Sequence, residues 1–371
     1  MLLQAVHRMA GLLLGRSSVT GAMTACVLAL AASSCGGGTA THTAGRAAET
    51  FTLPFVSDAA KSLSDGPHLA VSIAAGADMN VEVDTGSRGL VVARTAIGSQ
   101  ASDTGQKGWV EYTSSGLILS GEYFLAPISF HTAGSTVHTI PVRVLGVESS
   151  SCDSKYPHCR PEADLDRVGE LGVGYGNYAK TSDTPTTEVN PFLELQAMQD
   201  GTARRGYIIT RNAITLGLTD ADLTSFSQVS LPKPTGPADG PVGLPGSWGA
   251  APGCFALPDY GNSTRCGTVL VDTGIATMIV GLNPARRPPT IRDTIPNGTR
   301  IRIGIPTFTD PALAYSVTTG AADDSLAPQG NPAARWSESG PFVNTGRHLL
   351  AGYDYLFDAE AGHIGFRKDP A

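Results

Sequence analysis

Two stretches of one kind stand far apart in this chain. The first is Val81-Glu82-Val83-Asp84-Thr85-Gly86-Ser87, and the second is Val269-Leu270-Val271-Asp272-Thr273-Gly274-Ile275. Each is an apolar run that ends in Asp-Thr-Gly. Each is followed by a second apolar run, Leu90-Val91-Val92 in one case and Met278-Ile279-Val280 in the other. Short Val-rich runs bounded by turn residues read as buried strands. One Asp-Thr-Gly means little, because all three are common turn residues. Two in the same strand context, with 188 residues between Asp84 and Asp272, mark a duplicated β unit.

The rest of the chain continues that pattern. Alternation at Leu69–Ala74 and Met79–Val83, with Ala75-Gly76-Ala77-Asp78 between them, predicts a hairpin. A second hairpin runs from Trp109 to Phe130 with Ser114-Ser115-Gly116 at its tip, and further strands follow at Thr139–Val147, Tyr207–Leu218 and Thr299–Ile305. One helix is predicted, Pro191–Gln199, capped by Asn190 and ended by Gly201. Leu231–Gly253, with six prolines and six glycines, reads as a connection, and the weakly patterned Pro306–Gly340 as long loops. A length of 371 residues suits two domains or one bilobal unit. Charged residues make up 16%, against about 25% in an average domain, which fits extensive buried sheet. A net charge of −7 with no Lys/Arg run argues against nucleic acid as a partner.

The N-terminus has a different character. Residues 1–34 contain Arg8 and Arg16, no acid, and a short apolar stretch around Ala25–Ala32. This reads as a secretory signal, too short to span a bilayer. Ala32-Ser33-Ser34-Cys35 resembles a relaxed bacterial lipobox, which implies lipid on Cys35. Residues 35–50 are small and polar and read as a flexible tether. The expectation is an exported chain, in the periplasm or at the cell surface, held to the membrane through Cys35. Cys152, Cys159, Cys254 and Cys266 remain, and an even number in an oxidising compartment suggests disulfides. The local pairs Cys152–Cys159 and Cys254–Cys266 are the simplest connectivity. Zinc is the alternative, but neither CxxC nor paired His accompanies them, so no metal is expected.

The duplicated aspartates carry a chemical logic. If two such turns meet about a pseudo-twofold axis, their carboxylates lie too close to ionise together and share one proton. One can then activate a water while the other polarises a carbonyl. At this point the sequence resembles the pepsin-like aspartic peptidases, over about Phe51–Phe366. Tyr112 sits where that family carries its flap tyrosine. Gly169-Glu170-Leu171-Gly172-Val173-Gly174-Tyr175 is similar to the segment that crosses behind the first catalytic loop. Gly346-Arg347-His348-Leu349-Leu350 and Tyr353–Asp358 look like the C-terminal signature, and Cys266 resembles a disulfide position just ahead of the second aspartate.

The resemblance implies an all-β, bilobal acid-protease fold, with two pseudo-twofold β-barrel lobes, 51–205 and 206–371, around a cleft. It implies an aspartic endopeptidase acting on extended peptides, monomeric and without a cofactor. Asp84 and Asp272 would be catalytic, with Thr85, Gly86, Ser87, Thr273 and Gly274 supporting the dyad and Tyr112 closing the flap. Two departures stand out. The hydroxyl residue that follows Asp-Thr-Gly is present as Ser87 but replaced by Ile275, so Asp272 loses the bond that such a hydroxyl gives the outer carboxylate oxygen, and its pKa should rise. Tyr112 follows Asp84 more closely than is usual in the family. These departures motivate an alternative, a weak or inactive pepsin-fold binding protein of the cell envelope. A structural envelope lipoprotein would be favoured if the two aspartates lay far apart.

Overall fold

The duplicated stretches sit at matching places in two sheets of the same design. The computed structural model describes residues 48–176, 180–181, 189–235, 246–261, 263–286, 288, 290–337 and 340–369. The expected signal sequence, Cys35 and nearly all of the expected tether lie outside the described residues. Residues 46–371 form one unit by their contacts. In the first sheet, the strand Met79–Asp84 pairs in parallel with Gly169–Val173, which pairs antiparallel with Arg88–Ala93, itself parallel to Val142–Cys152. In the second, Arg265–Leu270 pairs in parallel with Phe342–Asn344, which pairs antiparallel with Ile279–Leu282, itself parallel to Ala333–Trp336. On the other side of each Asp-bearing strand lies an antiparallel neighbour, His68–Ile73 in one case and Ala251–Ala256 in the other. The repeat that the sequence shows in seven residues therefore extends over a whole sheet.

The symmetry breaks at one edge. The first sheet has ten strands and the second seven. The extra strands of the first include the hairpin Ser102–Tyr112 and Leu117–Ala126, which joins its edge by pairing with Val142–Cys152. A third, six-stranded antiparallel sheet is built from both stretches assigned to separate lobes, because Phe51–Pro54 pairs with Ala213–Leu216. Its buried face carries Tyr207, Tyr355 and Phe357, and Tyr207 packs edge-on against both Phe192 and Phe357. Such pairs add roughly 0.5–1.5 kcal/mol beyond area burial. The core beneath the Asp-Thr-Gly loops is shut off from solvent: Val81, Val83, Leu171 and Val173 are each 0% exposed.

The hairpin with its tip at 113–116 is found as expected, and so are both disulfides, Cys152–Cys159 and Cys254–Cys266. The helix expected over Pro191–Gln199 is not continuous. Asn190 does cap it, accepting from the Phe192 N–H, but the turn Pro191–Leu193 is followed by an extended Leu195 before a single turn, Gln196–Gln199. Leu195 is buried and bridges Thr139, so packing and a cross-chain backbone bridge override the helical pattern. Two short helices were not foreseen, Ala59–Asp65 with Asp58 as cap and Asp220–Ser225 with a Thr219/Asp222 capping box. Nor were the strands Leu313–Thr318 and Ala333–Trp336, in a stretch read as loops.

Candidate active site

Asp84 and Asp272 meet. Asp84 ends the strand Met79–Asp84, Asp272 lies two residues past the end of Arg265–Leu270, and both residues are 6% exposed. The Thr residues that follow lock the turns to each other across the pseudo-twofold. The Thr85 N–H donates to Thr273 Oγ1 at 3.0 Å, and the Thr273 N–H donates to Thr85 Oγ1 at 3.0 Å. The same hydroxyls donate to the carbonyls of the opposite strands, Thr85 to Val271 at 2.5 Å and Thr273 to Val83 at 2.6 Å. Three buried polar groups per side, the Thr N–H, its hydroxyl and the Val carbonyl, are thus satisfied by their symmetry mates, and a Val in place of either Thr would leave two groups without a partner.

The glycines have a specific task. A Cβ on Gly86 would fall 2.6 Å from the Asp272 Cγ, and one on Gly274 2.5 Å from the Asp84 Oδ1. Each turn can lie against the other's carboxyl only because this position has no side chain. The Gly86 N–H donates to Asp84 Oδ1 at 2.6 Å, and the Gly274 N–H to Asp272 Oδ1 at 3.0 Å. Each glycine thus packs directly against the opposite carboxyl, which brings the two carboxyls together. Burial pushes the Asp272 carboxyl well above the usual range, and the neighbouring Asp84 charge pushes it further. Two carboxyls held this close do not both ionise readily, so the pair shares one proton.

Support for the outer oxygens departs from expectation. Ser87 does not bond Asp84; its hydroxyl donates to Glu170 Oε1 at 2.9 Å. Ile275 has no hydroxyl, but the Asn344 amide donates to Asp272 Oδ2 at 2.5 Å, which opposes the upward push on that carboxyl. Glu170 and Asn344 are symmetry mates by strand register. Glu170 pairs with Glu82, two residues before Asp84, and Asn344 with Leu270, two residues before Asp272. Neither was singled out from the sequence. The available signal was an acid and an amide, each on a strand that crosses behind an Asp-Thr-Gly loop.

The dyad lies in a cavity of about 540 Å³. Tyr112, Thr113, Ser114 and Ser115 line it, which places Tyr112 and the hairpin tip in the same cavity as the aspartates. Glu170 lines the same cavity, and its carboxyl is pushed well up by burial and by the charges of Asp84 and Glu82. The disulfide Cys152–Cys159 closes a loop whose Tyr156 also lines the cavity and whose hydroxyl donates to the Thr113 carbonyl at 2.7 Å. Cys254–Cys266 ties Ala251–Ala256 to the strand that leads to Asp272. Below the dyad, Arg347 joins the two turns, donating to Glu82 Oε1 at 2.6 Å and to the Thr273 carbonyl at 2.9 Å. Among the described residues, no group of three or more His, Cys, Asp or Glu could hold a metal ion.

Comparison with known proteins agrees with this geometry. A family model, the PE-PGRS C-terminal aspartyl peptidase-like domain, matches residues 57–202, a stretch that includes Asp84, Tyr112 and Glu170 but not Asp272. The crystal structure of an aspartic proteinase from Irpex lacteus is similar with a TM-score of 0.56 and 14% identity, covering 87% of this chain and 98% of that one. No curated protein matches the chain in sequence. The chain has the bilobal all-β fold of the pepsin-like aspartic peptidases, and the resemblance drawn from the paired Asp-Thr-Gly stretches is borne out.

Proposed function

We propose that this protein is an aspartic endopeptidase in which Asp84 and Asp272 activate a water for attack on a peptide bond. The observation that carries this is the contact of two buried carboxyls, each fixed by its own glycine N–H, in a cavity open to a peptide. In the proposed cycle, protonated Asp272 donates a hydrogen bond to the scissile carbonyl while Asp84 takes a proton from the water. Asn344 fixes Asp272 in the orientation this requires, and the turns themselves are held rigid by Thr85 and Thr273. An extended peptide suits a cleft between β lobes, where backbone bonds give affinity and pockets give specificity. The replacement at Ile275, the main motive for a non-catalytic reading, is offset by Asn344.

The test is peptide hydrolysis at mildly acid pH by the wild type, Asp84→Asn and Asp272→Asn. Each variant is expected to lose activity by on the order of a thousandfold or more; activity that survives both changes rules the mechanism out.

The proposed setting is outside the cytoplasm, with Cys35 lipidated and residues 35–50 as a tether to the membrane. Two disulfides are compatible with an oxidising compartment. Metabolic labelling with a fatty acid should mark the wild type and not Cys35→Ser. Unlabelled wild-type protein would exclude the anchor.

A further inference from the structure

The wall of the cavity beside Asp84 carries a carboxyl that the dyad chemistry leaves without a task. Glu170 stands half-buried on Gly169–Val173, next to the core residue Leu171, and lines the cavity with Tyr112, Leu117 and Tyr156. Ser87 donates to its Oε1 at 2.9 Å. The charges that act on it are acidic, Asp84 and Glu82, and Arg347 is committed to Glu82. Among the described residues, no Lys or Arg forms an ion pair with Glu170. An amide oxygen would accept from Ser87 equally well, so what the acid adds is charge.

The surroundings suit a cation from outside. Tyr112 and Tyr156 offer aromatic faces, which attract ammonium and guanidinium groups, and a low-dielectric cleft lined by acids focuses that attraction. The symmetry mate cannot do the same. Asn344 is neutral and spent on Asp272, and the cavity wall on that side carries Ile275, Ile279 and Arg335. We propose that Glu170 forms a subsite for a Lys or Arg side chain of the substrate, on one side only of the bond held at the dyad. This rests on the reading of the cleft as a peptide site. The incoming charge offsets the burial of the carboxylate, and the carboxyl's proton leaves to solvent as the pair forms.

Binding is measured by calorimetry with peptides whose central bond is replaced by a hydroxyethylene isostere and whose flanking residue is Lys, norleucine or Glu. The wild type is expected to favour Lys over norleucine by roughly tenfold, as a charge-assisted hydrogen bond warrants, and to bind the Glu peptide worst. Glu170→Gln, which keeps an acceptor for Ser87, should lose the Lys preference. An unchanged ratio in that variant means Glu170 is only a scaffold and overturns the proposal; so does a wild-type ratio of one or less. If the variant fails to fold, the order of the three peptides on the wild type still decides. The ratio needs no turnover. Binding with this preference but no cleavage of the corresponding peptides overturns the peptidase reading alone, cleavage without preference overturns the subsite alone, and no binding overturns both.

Discussion

Asn344 does for Asp272 what a hydroxyl at position 275 would have done, and it does so from a strand that arrives 72 residues later in the chain. Its amide favours the ionised carboxylate, so its loss should push Asp272 up further. Asn344→Leu is expected to lower kcat by about 10- to 100-fold, the value of a hydrogen bond to a charged group, and to move the pH–rate profile to higher pH. An unshifted profile would show that Asn344 does not tune the dyad. The duplicated Asp-Thr-Gly was legible in the sequence because each copy is contiguous and sits on its own apolar strand. Glu170 and Asn344 were not, since their roles exist only once strand register sets them beside the turns. The bond from Ser87 to Glu170, where a bond to Asp84 was expected, has the same origin: the sequence placed a hydroxyl at the right loop but held no record of a competing acceptor 83 residues on.

At the scale of elements, the hairpin 102–126 is what the first sheet has and the second lacks. Its tip is held from outside by the disulfide loop. The Asp153 N–H donates to the Gly116 carbonyl at 2.9 Å, and a Cβ on Gly116 would fall 2.3 Å from the Tyr156 ring, at a backbone φ of +78° that already favours glycine. Cys152 and Cys159 are 7 residues apart, and closing so short a loop stabilises by about 2 kcal/mol in the chain-entropy account. The double change Cys152→Ser, Cys159→Ser should therefore loosen Tyr156 and the tip. We expect KM to rise severalfold while kcat changes little, and Tyr156→Ala to repeat the effect with the disulfide intact. A fall in kcat at constant KM would show that the loop acts on the dyad instead. Local pairing of these cysteines was readable from spacing and count, but that the loop buttresses the hairpin was not, because the contact is made by Tyr156, a residue with no pattern around it.

The whole molecule stores its acids in unfavourable places, and this sets how its stability should depend on pH. Burial pushes Asp272 and Glu170 well up, and burial also raises Glu82, Glu194 and Asp354 despite their basic partners. In the unfolded chain these carboxyls ionise near their ordinary values, roughly pH 4. In the folded chain they ionise at higher pH. Between the two, the unfolded state has released protons that the folded state still holds, so raising the pH favours unfolding. Their contribution is fully present below the ordinary carboxylate range and is lost as pH rises through the raised values. The net charge of −7 adds self-repulsion in the same direction. Thermal unfolding is thus expected at its highest temperature in mildly acid solution, with a steady fall towards neutral and alkaline pH. Glu170→Gln removes one of the two most strongly raised groups, so it should flatten that fall while leaving the acid-side midpoint close to that of the wild type. A midpoint that instead climbs from mildly acid to neutral pH would mean that the paired carboxylates, Asp358 with Arg204 among them, outweigh the buried ones.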